Sequence, residues 1–225
     1  MGHPLDRPIW NTLTGGWAHL AEGRDRAFQV ERDHGPFAAP ADFSPENVDA
    51  LRALSGAAGE LWLVEAGPLP ALPGFVILRE ADLTQMVAET ITPGEPDFEV
   101  EELGEADAAE MLALATLTKP GPFLSKTHRL GRFIGVKRER KLVAMAGERM
   151  RMPGFAEVSG VCTHPDHRGR GYAAGLMRLA AQRMLDQGET PFLHAYASNT
   201  AAIGLYETLG FRIRRDVRLT VVTRA

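Results

Sequence analysis

Apolar residues recur at helical spacing in two stretches of this chain. Over Tyr172–Gln187, the residues Ala173, Leu176, Met177, Ala180 and Met184 fall on one stripe, and Gly188 ends the run. That period predicts an amphipathic helix with the stripe turned inward. Over Glu105–Leu117 the pattern repeats at Ala108, Met111, Leu112 and Ala115. Glu105 and Asp107 fall in its first turn, where the helix dipole favours negative charge, and Pro120-Gly121-Pro122 stops it. Strand-length runs lie around these helices: Phe98–Leu103, Arg132–Lys137, Leu142–Arg149, Phe155–Thr163 and Pro191–Ala197. Glu139-Arg140-Lys141 makes the second and third a hairpin, and Met152-Pro153-Gly154 turns the chain into the fourth. Asn199 is placed to cap a helix running to Leu209, with Gly210 ending it. Arg212–Val222 closes as one or two strands. The natural packing is a central mixed sheet with helices on both faces, an α/β chain of mixed α+β character.

The first 96 residues pattern less regularly. Trp10–Leu20 and Pro45–Leu54 suit short helices. Glu60–Glu65 and Gly74–Arg79 suit strands, separated by the Pro-rich turn Gly67–Pro73. Ile91–Pro96 has the composition of a linker, which divides the chain into 1–96, a packing or substrate-shaping unit without a catalytic motif, and 97–225.

Bulk properties narrow the function classes. A net charge of −4 argues against a general nucleic-acid grip. One cysteine, Cys162, excludes an intrachain disulfide. With no signal-like start and no apolar run long enough to cross a bilayer, the expectation is a reduced, cytoplasmic setting. The histidines lack metal-ligand spacing, so no metal is expected. The acidic run Glu95–Glu110 reads as a solvated face that could also attract a cationic acceptor.

Arg168-Gly169-Arg170-Gly171-Tyr172-Ala173 carries the chemistry. It follows the strand Phe155–Thr163 and opens the helix at Tyr172. Two glycines bare the backbone N–H groups of the turn, the helix aims its positive end at the same point, and two arginines add charge. A Walker loop is excluded because no Gly-Lys-Ser/Thr follows. Gly169-Arg170-Gly171-Tyr172-Ala173-Ala174 fits G-x-G-x-x-A, but the acidic residue a Rossmann loop needs after the next strand is replaced by Ser198-Asn199. Arg168, Gly171 and Ala173 fit the R/Q-x-x-G-x-G/A loop that holds the pyrophosphate of coenzyme A. A glycine-rich surface turn would share the same local pattern.

From Glu157 to Phe211 the chain reads EVSGVCTHPDHRGRGYAAGLMRLAAQRMLDQGETPFLHAYASNTAAIGLYETLGF. This resembles the GNAT superfamily of N-acetyltransferases in the order strand, His-Pro, cradle, helix, strand, Asn, then Leu-Tyr-Glu-x-Leu-Gly-Phe. Lys119–Phe123, Ala144–Arg149 and Val161–Pro165 are similar to a bacterial subgroup with an N-terminal extension. The resemblance covers residues 97–225 and is most specific over 155–211.

The resemblance implies the GNAT acyl-CoA N-acyltransferase fold, with a mostly antiparallel central sheet. It also implies acetyl-CoA as co-substrate, no metal, and transfer to a small-molecule or peptide amine by direct attack in a ternary complex. A catalytically idle acyl-CoA sensor is the alternative, and a homodimer is left open. Carried over by position, the amides of Val161, Cys162 and Thr163 hold the pantetheine arm and polarise the thioester. Arg168, Gly169, Arg170, Gly171, Tyr172 and Ala173 hold the pyrophosphate. Tyr206 is the general acid, and Asn199 caps its helix and reaches the arm. The general base is Glu157 or His194, with Glu148 weaker; Glu157 could instead pair with Arg149. Phe123, Lys126, Thr127 and His128 would wall the acceptor pocket. Cys162 reads as a buried, inert thiol, and His164 and His167 as turn residues.

Overall fold

The computed structural model describes residues 2–56 and 59–225. In chain order the elements are α1 (Pro8–Leu13), β1 (Ala21–Arg24), β2 (Ala27–Val30), β3 (Ala38–Pro40), α2 (Pro45–Leu54), β4 (Leu61–Glu65) and β5 (Phe75–Val87). The remainder are β6 (Glu101–Leu103), α3 (Ala108–Thr118), β7 (Phe133–Arg138), β8 (Lys141–Met152), β9 (Phe155–Thr163), α4 (Tyr172–Asp186), β10 (Thr190–Tyr196), α5 (Thr200–Thr208) and β11 (Arg212–Arg224).

Eight strands form one sheet in the order β4-β11-β5-β10-β9-β8-β7-β6, and β1–β3 form a small sheet of their own. Within the large sheet β9 and β10 run parallel, while the other neighbours are antiparallel. This is the mixed sheet expected from the sequence pattern and the mostly antiparallel one that the family resemblance implies. One face packs on α4 and α5: Ala156 and Val158 of β9 and Leu193 of β10 meet Met177, Ala181 and Met184. The other face takes α1: Leu5, Ile9, Leu13 and Trp17 meet Met150, Phe192 and Leu219. Alternate residues of a strand serve opposite faces, so Phe192 and Leu193 join different cores.

The sheet crosses the division drawn at residue 97. β5 lies between β10 and β11, paired to both, and β4 pairs β11 at the edge. The single strand expected over Gly74–Arg79 continues through Val87 because, beyond the charged stretch Arg79–Asp82, Leu83 to Val87 are all buried, Leu83 and Val87 in the core on one face and Met86 in the core on the other. The helix expected over Trp10–Leu20 stops at Leu13, since Gly15-Gly16 brings the backbone against β8: Gly16 N–H donates to the Arg151 carbonyl at 3.2 Å. A Cβ on Gly16 would lie 2.4 Å from that oxygen.

Candidate active site

The cradle forms as its glycines require. Gly169 (φ 74°) and Gly171 (φ 75°) both adopt the left-handed conformation that L side chains rarely take. Gly171 is the N-cap of α4 and contributes no side-chain cap, so the first-turn amides of the helix point into the turn without a side-chain acceptor. Arg168 and Arg170 are exposed and form no ion pair with any described carboxylate. Tyr172 offers only its backbone. Its ring is buried edge-on against Phe98 at 4.9 Å, and its hydroxyl accepts from Arg138 Nε at 3.2 Å. His164 caps the short turn before the cradle, its Nδ1 accepting from the Asp166 N–H at 3.3 Å.

The cradle adjoins a split in the sheet. β9 and β10 pair only over Phe155–Glu157 and Thr190–Phe192. Beyond Glu157, β9 continues to Thr163 bonded to β8 alone, while β10 stays with β5. One edge of β9 over Val161, Cys162 and Thr163 is therefore free of a strand neighbour, a place where an extended arm can add as a strand. A bulge at Gly160 (φ 64°) re-aims this edge: Ser159 pairs with Gly147 but Cys162 with Met145, three residues of β9 spanning two steps of β8.

Two cavities meet at the split. A groove of about 490 Å³ runs from the cradle past Val161, Cys162 and Thr163 to Tyr206. A second cavity of about 190 Å³ lies beyond, lined by Phe37, Trp62, Leu83, Arg149 and His194 among others. Lys119, Pro120, Val161, Asn199 and Tyr206 border both. Asn199 Oδ1 accepts from the Ala202 N–H at 3.2 Å, the helix cap, which leaves its Nδ2 for a ligand. Tyr206 stands at the junction, and burial pushes its phenol pKa up, so the hydroxyl keeps its proton. Burial also pushes the Cys162 thiol up to about 11, against a bond from Thr118, which leaves it protonated and a poor nucleophile.

The three carboxylate and imidazole candidates have different surroundings. Glu157 is fully buried at 0 % exposure. Arg149 grips it with two bonds, Nε to Oε2 at 2.8 Å and Nη2 to Oε1 at 2.9 Å, and His194 Nδ1 lies 2.8 Å from Oε1. Burial alone would raise its pKa, but Arg149 and His194 outweigh that and hold it at about 2. The His194 ring is fixed from the other side. Gln85 Nε2 lies 3.0 Å from His194 Nε2 and 2.9 Å from the Leu5 carbonyl, while Gln85 Oε1 accepts from Arg214 at 2.8 Å. Those partners orient the amide with an N–H toward the ring. His194 Nε2 thus accepts, and the ring proton sits on Nδ1, donated to Glu157. Glu148 is buried beside Arg151 (2.8 Å), which also pairs with Glu189 beyond the C-terminal end of α4, and it borders neither cavity.

The loop after α3 does wall the second cavity, but through Lys119, Pro120, Gly121 and Pro122. Phe123 and Thr127 line an adjoining small crevice that shares Pro120, Gly121, Pro122 and Arg149 with that cavity. Lys126 pairs with Asp33 at 3.0 Å, Thr127 donates to the His34 carbonyl at 2.8 Å, and His128 lies 3.1 Å from Glu105. Much of the acidic run is likewise paired: Glu105 with Arg129, Glu102 with Arg183, and Asp107 with Lys137. Sequence reasoning passed over Phe37, Trp62 and Gln85, which join the site from the first 96 residues. No short motif marks them, because only the path of β5 and the parallel bridge between Phe37 and Trp62 bring them there.

The FR47-like protein family model matches residues 133–220, the stretch from β7 through most of β11. A GNAT-family structure from Novosphingobium aromaticivorans is 47% identical, with a TM-score of 0.93 and 100% of both chains covered. The chain belongs to the GNAT family of acetyltransferases. Two more distant structures share the GNAT fold. A GCN5-related N-acetyltransferase from Kribbella flavida has a TM-score of 0.66 at 20% identity, covering 96% of this chain and 93% of that one. One from Sphaerobacter thermophilus has a TM-score of 0.55 at 14% identity, covering 88% and 76%. No curated protein matches the sequence. Among the described residues, no cluster of His, Cys, Asp and Glu could hold a metal, and no helix is long and apolar enough to cross a membrane. The bare cradle, the unpaired arginines and the open edge of β9 fit coenzyme A, as GNAT proteins require.

Proposed function

We propose that this GNAT protein transfers an acetyl group from acetyl-CoA to a primary amine by direct attack in a ternary complex. The observation that carries the reading is the meeting of two cavities at Tyr206, one leading from the cradle and one leading away from it. An idle acyl-CoA sensor would need only the first. Acetyl-CoA supplies the activated acyl group. Arg168 to Ala173 hold its pyrophosphate, mainly through backbone N–H groups and the helix dipole. The amides of Val161, Cys162 and Thr163 bind the arm along the β9 edge and polarise the carbonyl. Asn199 Nδ2 reaches the arm while Oδ1 keeps the cap. As the amine nitrogen attacks the carbonyl carbon and the C–S bond breaks, Tyr206 donates its hydroxyl proton to the departing sulfur, and the proton released by the nitrogen passes to solvent, from which the phenol is restored.

Glu157 and His194 take a supporting part in this proposal. The carboxylate accepts four bonds, two from Arg149, one from His194 and one from the Met150 N–H at 3.4 Å, and the imidazole lone pair is spent on Gln85. Neither has a free lone pair for an ammonium proton, so the acceptor enters as the free amine. A thiol-release assay over a panel of amines tests the whole reading. Tyr206→Phe should lower turnover by about 10²-fold while leaving acetyl-CoA affinity intact; unchanged turnover removes Tyr206 from the chemistry. Run against pH, the wild type and His194→Gln should share one acidic limb that tracks the pKa of the chosen amine. Loss of that limb in His194→Gln alone would return the base to the imidazole.

A further inference from the structure

The second cavity has a composition that discriminates among amines. Its apolar walls come from Phe37, Trp62, Val64, Leu83, Met150 and Leu219. No aspartate or glutamate lines it, and its formal charges are those of Lys119 and Arg149. Arg149 is only partly spent. Nε and Nη2 bind Glu157, and the guanidinium lies 5.0 Å over the Phe37 ring, so the group is locked. Nη1 has no hydrogen-bond partner among the described residues, and the side chain keeps 13% of its surface exposed. Lys119 ends α3 in a left-handed conformation (φ 53°), is exposed where the cavities meet, and pairs with no described carboxylate.

Resting on the acetyl-transfer reading, we propose that the acceptor is a small amine with an apolar or aromatic body and a free carboxylate. Arg149 Nη1 and Lys119 receive the carboxylate, and the aromatic wall receives the body. Three arguments converge. A preoriented guanidinium and an unpaired ammonium lining one cavity supply two cationic donors to a carboxylate. A second ammonium, as in a diamine or polyamine, would meet the unpaired Lys119 and no free anion, since the Glu157 carboxylate is already taken by Arg149 and His194, and it would be desolvated without compensation. The space of about 190 Å³ is below the roughly 300 Å³ at which drug-sized pockets begin, so it suits a body of amino-acid size.

The test compares phenylalanine, phenylalaninamide, phenethylamine and spermidine as acceptors. It also measures phenylalanine binding to the coenzyme A-saturated enzyme by calorimetry. Phenylalanine should exceed the amide and phenethylamine by on the order of 10–100-fold in kcat/KM, the value of a hydrogen-bonded charge, and spermidine should be inert. Lys119→Met, at an exposed position the fold does not need, and Arg149→Lys, which keeps a cation for Glu157, should each shrink that preference and weaken phenylalanine binding. Equal turnover of phenethylamine, turnover of spermidine, or an undiminished preference in both variants would overturn the proposal while leaving acetyl transfer standing. Absence of any acetyl-CoA binding or thiol release would instead sink the transfer reading and this inference with it.

Discussion

At the scale of single residues, Glu157 is the position whose surroundings the fold most defines. Its place on the strand before the cradle was legible, and so was its pairing with Arg149. What sequence could not supply was its burial or the second partner, His194, which arrives from β10 across the split strands. The same geometry makes a stability prediction. The carboxylate is held at about 2 against an ordinary 4.5, a depressed folded-state pKa. Its contribution is therefore complete above about 4.5 and is lost as pH falls toward 2. Glu157→Gln leaves the partly buried Arg149 without its counter-charge and should cost about 3 kcal/mol at neutral pH, the low end for breaking a buried pair. Thermal melts of the two proteins should converge as pH drops through that window. A gap unchanged between neutral pH and about pH 3 would show that the buried pair is not what stabilises this wall. Tyr206 and the ligand role of Asn199 were read from the family resemblance, and only the cap at Asn199 follows from the local sequence; one short helix carries both.

At the scale of elements, α4 and β9 were readable because each has one strong local cause: a 3.6-residue apolar stripe for the helix and a strand-length run bounded by Gly154 and Pro165 for the strand. β1–β3 were not, being four residues long or fewer, with cores completed by α1 and α2 rather than by their own pattern. The bulge in β9 lies between these cases. Gly160 is visible in the sequence, but the offset that makes it a bulge exists only in the pairing with β8. Its backbone holds φ at 64°, and a Cβ there would lie 2.9 Å from Phe133 Cε1. Gly160→Ala should destabilise the fold by about 1–2 kcal/mol through the left-handed backbone alone. Because the bulge sets the aim of the Val161–Thr163 edge, the variant should also bind acetyl-CoA more weakly than its stability loss accounts for. Calorimetric titration well below the melting temperature separates the two effects. Unaltered affinity would mean that the edge does not depend on the bulge.

At the scale of the whole molecule, the sequence motifs and the cooperative unit have different extents. The matched family model begins at residue 133, and the local signals are strongest over 155–211, yet the sheet that carries them is built across its centre by β5. Removing residues 1–96 would take β4 from the sheet edge and β5 from between β10 and β11. It would also take Leu5, Ile9, Leu13 and Trp17 from a core shared with Met150, Phe192, Val217, Leu219 and Val221. Two strands would acquire unpaired edges, and His194 would lose Gln85. A fragment of residues 97–225 should therefore be insoluble or lack a cooperative melt, despite containing the cradle, Tyr206 and Asn199. Co-expression with residues 1–96 should restore both solubility and a thermal shift with acetyl-CoA. In the intact chain, hydrogen exchange should protect the amides of Leu83–Val87 as strongly as those of β9, since both would open only with the global transition. A 97–225 fragment that melts cooperatively and still binds acetyl-CoA would show that the N-terminal strands are an addition to a self-sufficient unit. The acceptor cavity, walled by Phe37 and Trp62, would then be separable from the transfer machinery.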